Sequence, residues 1–175
     1  KTGRGTEEVC GAQVDILIGT LGKGFGVDGG YVVGDKAIID YLRESAATYV
    51  YSSPTSPGTA AAALEAVRIV DSSEGKHLLV KLSENIAYFK KKVLDGGFTF
   101  AAHSIHPIQP LLIGDTLKTK KIVEELFKRD IIVTNISYPV VPKGRDEIRV
   151  QLSASHTKKE IDEFVRVLEE VGREE

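Results

Sequence analysis

A single lysine stands in a glycine-rich stretch of the chain, residues 19–31, and this combination is the strongest sign of chemistry in the sequence. Two phosphate-binding motifs are excluded there. A P-loop requires a glycine five residues before its Gly-Lys pair and Ser or Thr after the lysine, but Leu17 and Gly24 occupy these places. Residues 24–29 spell G-x-G-x-x-G, but a dinucleotide fingerprint opens a helix, whereas this stretch runs into a predicted strand. The lysine, Lys23, therefore needs another explanation.

The surroundings of Lys23 are compatible with covalent chemistry at its amine. No acidic residue lies within four positions, and glycine and apolar neighbours are expected to remove water from the amine, which disfavours its charged form. A neutral amine forms a Schiff base with an aldehyde. Thr20, three residues earlier, offers a hydroxyl beside backbone N–H groups for a phosphate, and the two features together are what a pyridoxal phosphate pocket requires. The local pattern alone favours the simpler alternative, a solvated loop lysine.

The composition excludes several other classes of function. The chain has 175 residues, with 23 Lys and Arg against 25 Asp and Glu, and this near-neutral balance argues against a nucleic-acid partner. Cys10 is the only cysteine, which excludes an intrachain disulfide and favours a reducing compartment. No segment of this sequence resembles a signal peptide, and no apolar run approaches about 20 residues, so we expect a cytoplasmic chain without a membrane segment. His103 and His106 lack a Cys or carboxylate partner, so no metal site is expected.

The elements that must position these residues follow from hydrophobic periodicity. Strands are predicted at residues 14–18, 30–33, 98–101, 108–113, 131–136 and 147–153, and helices at 35–47, 59–70, 74–93, 115–129 and from 157 onward. The apolar positions expected to face inward in the last three helices are Leu78, Leu82, Ile86, Phe89, Val93, Ile122, Val123, Leu126, Phe127, Ile161, Phe164, Val165, Leu168 and Val171. Residues 1–73 thus read as part of a larger α/β domain, and residues 74–175 as a small α+β domain.

Four segments of the chain, residues 1–5, 14–31, 49–53 and 138–157, resemble the α-oxoamine synthase family of fold-type I pyridoxal phosphate enzymes. The matching runs are Val-Asp-Ile-Leu-Ile-Gly-Thr-Leu-Gly-Lys, Gly-Gly-Tyr, Tyr-Ser-Ser and Ile-Arg-Val-Gln-Leu-Ser-Ala-Ser-His-Thr. The resemblance implies an α/β fold: the end of a large cofactor-binding domain followed by a small C-terminal domain. It also implies that the chain is the C-terminal half of such an enzyme and should not catalyse by itself.

The same resemblance implies roles for individual residues. Lys23 matches the lysine that forms the Schiff base with pyridoxal phosphate and later moves the substrate's α-proton, and Thr20 matches a phosphate-binding hydroxyl. Ser52 and Ser53 match a pair that reaches the cofactor phosphate of the other subunit, which implies a homodimer with shared active sites; a Ser/Pro turn is the alternative. Arg149 matches the arginine that binds the amino-acid carboxylate. Alternation independently places it on the polar face of its strand, as it would also place a surface arginine.

The implied reaction condenses a small amino acid with an acyl-CoA. Residues 138–144 are most similar to glycine C-acetyltransferase, which joins glycine to acetyl-CoA. The alternative within the family is 8-amino-7-oxononanoate synthase, which joins alanine to pimeloyl-CoA and releases carbon dioxide. An alternative of another class is a non-catalytic α+β dimerisation or binding module, against which the presence of Lys23 argues.

Overall fold

The structure, a computed structural model, describes residue 3 and residues 5–172. The other positions of the first matching segment, residues 1, 2 and 4, lie outside the described residues. The chain divides into a first unit, Lys1–His77, and a second unit, Leu78–Glu175. No helix in the described part of the chain is long and apolar enough to cross a membrane.

The first unit is a two-stranded hairpin accompanied by helices. Its elements are α1 (Thr6–Cys10), β1 (Ile16–Thr20), β2 (Gly30–Gly34), α2 (Lys36–Ser45), α3 (Ala47–Val50), α4 (Pro57–Val70) and the start of α5 (Ser73–Asp95). β1 and β2 are antiparallel, with Thr20 opposite Gly30. Helix α4 begins at Pro57, two residues before its predicted start. Ser56 caps it by accepting a hydrogen bond from the backbone N–H of Thr59 at 3.1 Å.

The first unit has no hydrophobic core of its own. Among residues 5–77, no apolar side chain is buried, and even central strand residues are open: Ile18 is 72% exposed. Burial of apolar surface is the main favourable contribution to folding. The elements of this unit therefore present apolar faces that no other part of residues 5–77 covers.

The second unit has a four-stranded antiparallel sheet packed against helices. The remaining elements are β3 (Thr99–Phe100), β4 (Ile108–Leu112), α6 (Thr116–Phe127), β5 (Thr134–Ile136), β6 (Glu147–Gln151) and α7 (Lys158–Gly172). The strand order is β3-β4-β6-β5, and every pair is antiparallel. The buried apolar side chains form one cluster: Ile86, Phe89, Val93, Leu111, Ile122, Leu126, Ile148, Val150, Leu152, Ile161, Phe164, Val165, Val167, Leu168 and Val171.

Most of the helix positions predicted to face inward do so, including all five in α7. The capping box that opens α7 is confirmed, since Thr157 N–H donates to Glu160 at 2.7 Å and Glu160 N–H donates to the Thr157 hydroxyl at 3.3 Å. The prediction for Phe127 is wrong, because this side chain is 66% exposed. Phe127 is the last residue of α6, and its side chain is rotated by about 100° around the helix axis from that of the buried Leu126. It therefore points away from the packed face of the helix.

Two other predictions are corrected at the edges of elements. Leu78 was expected to continue the buried stripe of α5 but is 43% exposed, because the core of the second unit begins further along this helix. The predicted strand at residues 131–136 pairs with β6 only from Thr134 onward. Strand formation there depends on a partner, and the segment before Thr134 has none.

Candidate functional site

Lys23 lies in the loop that joins β1 to β2. Three backbone hydrogen bonds close this loop: Leu21 N–H to Gly29, Val27 N–H to Leu21 and Gly26 N–H to Lys23, each at 3.0 Å. The side chain of Lys23 is exposed and makes no hydrogen bond or ion pair with residues 5–172. The expected removal of water from the amine is therefore not found within this unit. The reason is physical: glycines have no side chains with which to cover a neighbour.

Two glycines of the hairpin are required by close contacts between its strands. A Cβ on Gly19 would lie 2.2 Å from the ring of Tyr31, the residue opposite it, so the ring lies over the Gly19 backbone. A Cβ on Gly30 would lie 2.6 Å from the carbonyl oxygen of Gly19. At the observed separation of the strands, neither position has room for a larger residue unless a neighbouring atom moves.

The loop adjoins the first turns of α4 within the same unit. An open cleft of about 430 Å³ separates them and is lined by Gly22, Gly26, Val27, Asp28, Gly58, Thr59 and Ala62. Most of these side chains are small or absent, so the cleft stays open. Thr20, the last residue of β1, is exposed, and its hydroxyl has no partner among the residues that the structure describes. The hairpin thus carries Thr20 and Lys23 together.

Ser52 and Ser53 follow the short helix α3 and precede α4. Both residues are exposed, and the Ser52 hydroxyl donates a hydrogen bond to the carbonyl oxygen of Thr48. Ser52 therefore closes the end of a helical turn, as the Ser/Pro turn alternative requires, while its oxygen lone pairs remain available. Neither serine belongs to the hairpin that carries Lys23.

Arg149 occupies the middle of β6 in the second unit. Its guanidinium is on the sheet face opposite the core, since its neighbours Ile148 and Val150 are buried and Arg149 is exposed. Arg149 lies opposite Pro110 of β4 and Thr134 of β5. The predicted alternation of this strand is confirmed. Within the described ranges the guanidinium has neither an ion pair nor a hydrogen bond, so its five N–H donors are available to a ligand.

A buried carboxylate, Asp146, was missed by the sequence reasoning. It is 2% exposed, and the hydroxyls of Ser137 and Thr116 hold the pKa of its carboxyl below the ordinary value near 3.8. Thr116 donates to it at 2.8 Å from the first turn of α6, where a negative charge is favourable. The backbone oxygen of Asp146 also accepts from Ile113 and Gly114 at 2.9 Å. One signal in the sequence could have predicted its burial: Asp146 lies two residues before Ile148 and four before Val150, on the same buried side of the strand.

The two histidines of the H-x-x-H pair lie in the second unit, where His106 Nδ1 accepts a hydrogen bond from Ile108 N–H at 3.2 Å. Across the described residues no group of three or more His, Cys, Asp or Glu side chains could hold a metal ion. The candidate residues that remain are an amine and a hydroxyl on one hairpin, a pair of serines, and an arginine on a sheet face.

The sequence is similar to those of known proteins over most of its length. A sequence model described as aminotransferase class I and II matches residues 5–168. The chain is 42% identical over 173 residues to 8-amino-7-oxononanoate synthase of Thermosipho melanesiensis, covering 98% of this chain and 44% of that protein. It is 36% identical over 177 residues to 2-amino-3-ketobutyrate coenzyme A ligase of Escherichia coli, covering 99% and 44%. The chain thus spans less than half the length of these relatives.

Solved structures show the same fold. Serine palmitoyltransferase of Sphingomonas wittichii superposes with a TM-score of 0.89 at 24% identity, covering 99% of this chain and 44% of that one. 8-Amino-7-oxononanoate synthase of Francisella tularensis superposes with a TM-score of 0.77 at 23% identity, covering 89% and 44%. The predicted α/β fold of the fold-type I pyridoxal phosphate enzymes is confirmed.

Proposed function

The chain belongs to the aminotransferase class I and II family, in which its relatives are α-oxoamine synthases, and we propose that it is the carboxyl-terminal part of a pyridoxal-phosphate-dependent acyltransferase of that type. In this proposal residues 1–73 complete the large cofactor-binding domain, and residues 74–175 are the small domain. The uncovered apolar faces of the first unit support it, because such faces need further chain to pack against. The fragment alone is then inactive.

The observation that carries the proposal is the presentation of Lys23 in a closed hairpin loop, without an ion pair inside the described chain. The donor set fits pyridoxal phosphate: an amine for the aldehyde carbon, and the Thr20 hydroxyl on the same hairpin for the phosphate. The bound cofactor supplies an electron sink for the α-carbon of the amino acid. Lys23 Nζ would hold the cofactor through its aldehyde carbon and, once displaced there by the amino group of the substrate, would take the α-proton as a free amine. Ser52 and Ser53 reach the phosphate of the neighbouring subunit in a homodimer.

Arg149 binds the carboxylate of the amino acid. A guanidinium forms two parallel hydrogen bonds with a carboxylate, which fixes both position and orientation. Arg149 suits this role because it lies on an exposed strand face and its N–H donors make no hydrogen bond within the described residues.

Two pairs of amino acid and acyl-CoA are candidate substrates of the intact enzyme. Glycine with acetyl-CoA is the pair suggested by residues 138–144, whereas the 42% identity to an 8-amino-7-oxononanoate synthase supports alanine with pimeloyl-CoA. The intact enzyme should release CoA with one pair at a kcat/KM at least about tenfold above the other. Release with neither pair would contradict the proposed class of reaction.

The lysine assignment has a separate test. The intact enzyme should take up pyridoxal phosphate with a visible absorbance band, and borohydride should fix the label on Lys23. Lys23→Arg should abolish the band, because a guanidinium does not form a Schiff base under these conditions. Lys36→Arg, at another exposed lysine of the first unit, is the matched control and should keep the band. A colourless intact protein would favour the non-catalytic module instead.

A further inference from the structure

The cleft beside Arg149 exists because β5 is short. β5 pairs with β6 only at residues Thr134–Ile136, opposite Arg149 to Glu147. Gln151 therefore extends beyond the paired part of the sheet on that side. The chain at Ile132 and Val133 leaves an open cleft of about 310 Å³, lined by these two residues together with Thr134, Arg149 and Gln151.

Three polar side chains share this cleft. Arg149 and Gln151 are two residues apart on β6 and point to the same side of the sheet, and Thr134 lies directly opposite Arg149 on β5. Directly opposite residues in an antiparallel pair have Cβ atoms about 5 Å apart. None of the three side chains forms a hydrogen bond with another part of the described chain. The cleft is thus lined by three side chains whose donors are not used by the described part of the chain.

The charges on this sheet face are asymmetric about Arg149. On one side lies Gln151, which is neutral and carries two N–H donors. On the other side lies Glu147, a half-buried carboxylate whose pKa is raised by burial. A second carboxylate would be repelled at the Glu147 side and accepted at the Gln151 side. An anionic group held by Arg149 is thereby directed into the cleft.

We propose that Gln151 and Thr134 are substrate-binding residues that share the amino-acid carboxylate with Arg149. The guanidinium supplies a bidentate pair, and the Gln151 amide and the Thr134 hydroxyl donate to the remaining lone pairs of the two oxygens. This arrangement fixes the rotation of the carboxylate and selects a free carboxylate over an amide. The inference rests on the proposed function, in which Arg149 holds that group.

The test measures amino-acid affinity in the intact enzyme loaded with pyridoxal phosphate. L-alanine and glycine are titrated while the cofactor band is followed, and L-alaninamide serves as the probe without a carboxylate. Gln151→Leu should raise the Kd for the amino acids about tenfold, because a hydrogen bond to a charged group is lost. Thr134→Val should raise it by a similar factor, because its hydroxyl donates to the same charged group. Gln151→Glu should weaken binding further, because it adds a like charge.

Two controls separate binding from structure. Thr99→Val makes the same exchange on the edge strand β3, outside the cleft, and should leave affinity unchanged. The Kd for L-alaninamide should move less than twofold in Gln151→Leu, whereas a structural defect would shift both ligands. If Gln151→Leu and Thr134→Val stay within twofold of wild type while Arg149→Lys weakens binding, the inference is wrong and the proposed function stands. If Arg149→Lys has no effect either, the assignment of Arg149 also fails.

Discussion

The spacing of the hairpin that carries Lys23 can be tested through the contact between Gly19 and Tyr31. In Gly19→Ala the new methyl group would lie 2.2–2.5 Å from three atoms of the tyrosine side chain, where ordinary contact begins near 3.4 Å. Tyr31 is 43% exposed, so its ring can swing into solvent and relieve the overlap. We therefore expect a cost of about 1 kcal/mol in the local stability of the hairpin, at the low end of overpacking effects.

Gly30→Ala should cost more, because its overlap is with backbone. The methyl group would lie 2.6 Å from the Gly19 carbonyl oxygen, so the strands must separate by about 3.4 − 2.6 = 0.8 Å at a position where they are paired. No side-chain rotation relieves this contact. We expect a cost of about 2–3 kcal/mol, the upper end of the same range.

The measurement is amide hydrogen exchange in the intact protein, read at Leu21 and Val27, whose N–H groups close the lysine loop. A loss of about 2 kcal/mol speeds exchange by about thirtyfold when opening is local. Tyr31→Ala should rescue Gly19→Ala but not Gly30→Ala, since only the first overlap involves the ring. Equal effects of the two alanines, both rescued by Tyr31→Ala, would refute this account of the hairpin.

Other predictions concern the second unit and the candidate site. Leu168→Ala should lower the free energy of unfolding by about 2–5 kcal/mol in urea titration, because the side chain is fully buried, whereas Leu117→Ala, 78% exposed, should change it by less than about 0.5 kcal/mol. The lowered pKa of Asp146 stabilises the fold above the ordinary value near 3.8, and this contribution is lost as the pH falls through the folded-state pKa. Asp146→Asn should therefore lower the urea midpoint at about pH 6 more than at about pH 3; equal differences at both pH values would contradict this. Arg149→Lys should weaken amino-acid binding by about tenfold or more while cofactor binding is kept, as measured by titration of the cofactor band, and unchanged amino-acid affinity would remove its assigned role.

Features that depend on local pattern could be predicted from the sequence. The alternation around Arg149 and the apolar stripe of α7 follow from the geometry of a strand and a helix, so residue order alone places Ile148 and Leu168 inward. The two strands that flank the lysine loop were also predicted, whereas their antiparallel pairing into a hairpin is a finding of the structure. Predictions failed where an element ends: Phe127 lies at the last residue of its helix, and Ile132 precedes the point at which its strand gains a partner.

Among the candidate site residues, too, the sequence indicated those with a local signal and missed the one that depends on distant contacts. The sequence singled out Lys23 and Arg149 because of residue type, neighbours and resemblance, and their roles stay predictions. It did not indicate that Asp146 is buried and accepts a hydrogen bond from Thr116, because Thr116 lies 30 residues earlier and the two meet only in the folded unit.

The sequence by itself determined the family, the order of the longer strands and helices and the lysine in its glycine-rich loop, since all of these are carried by short segments of adjacent residues. Tertiary structure alone decided that the Lys23 side chain is open within its unit and that a cleft with unused donors lies beside Arg149. The physical reason is that exposure and clefts depend on what other segments cover. β5 begins only at Thr134, opposite Arg149, and no local pattern near Gln151 indicates that its strand has no β5 partner there.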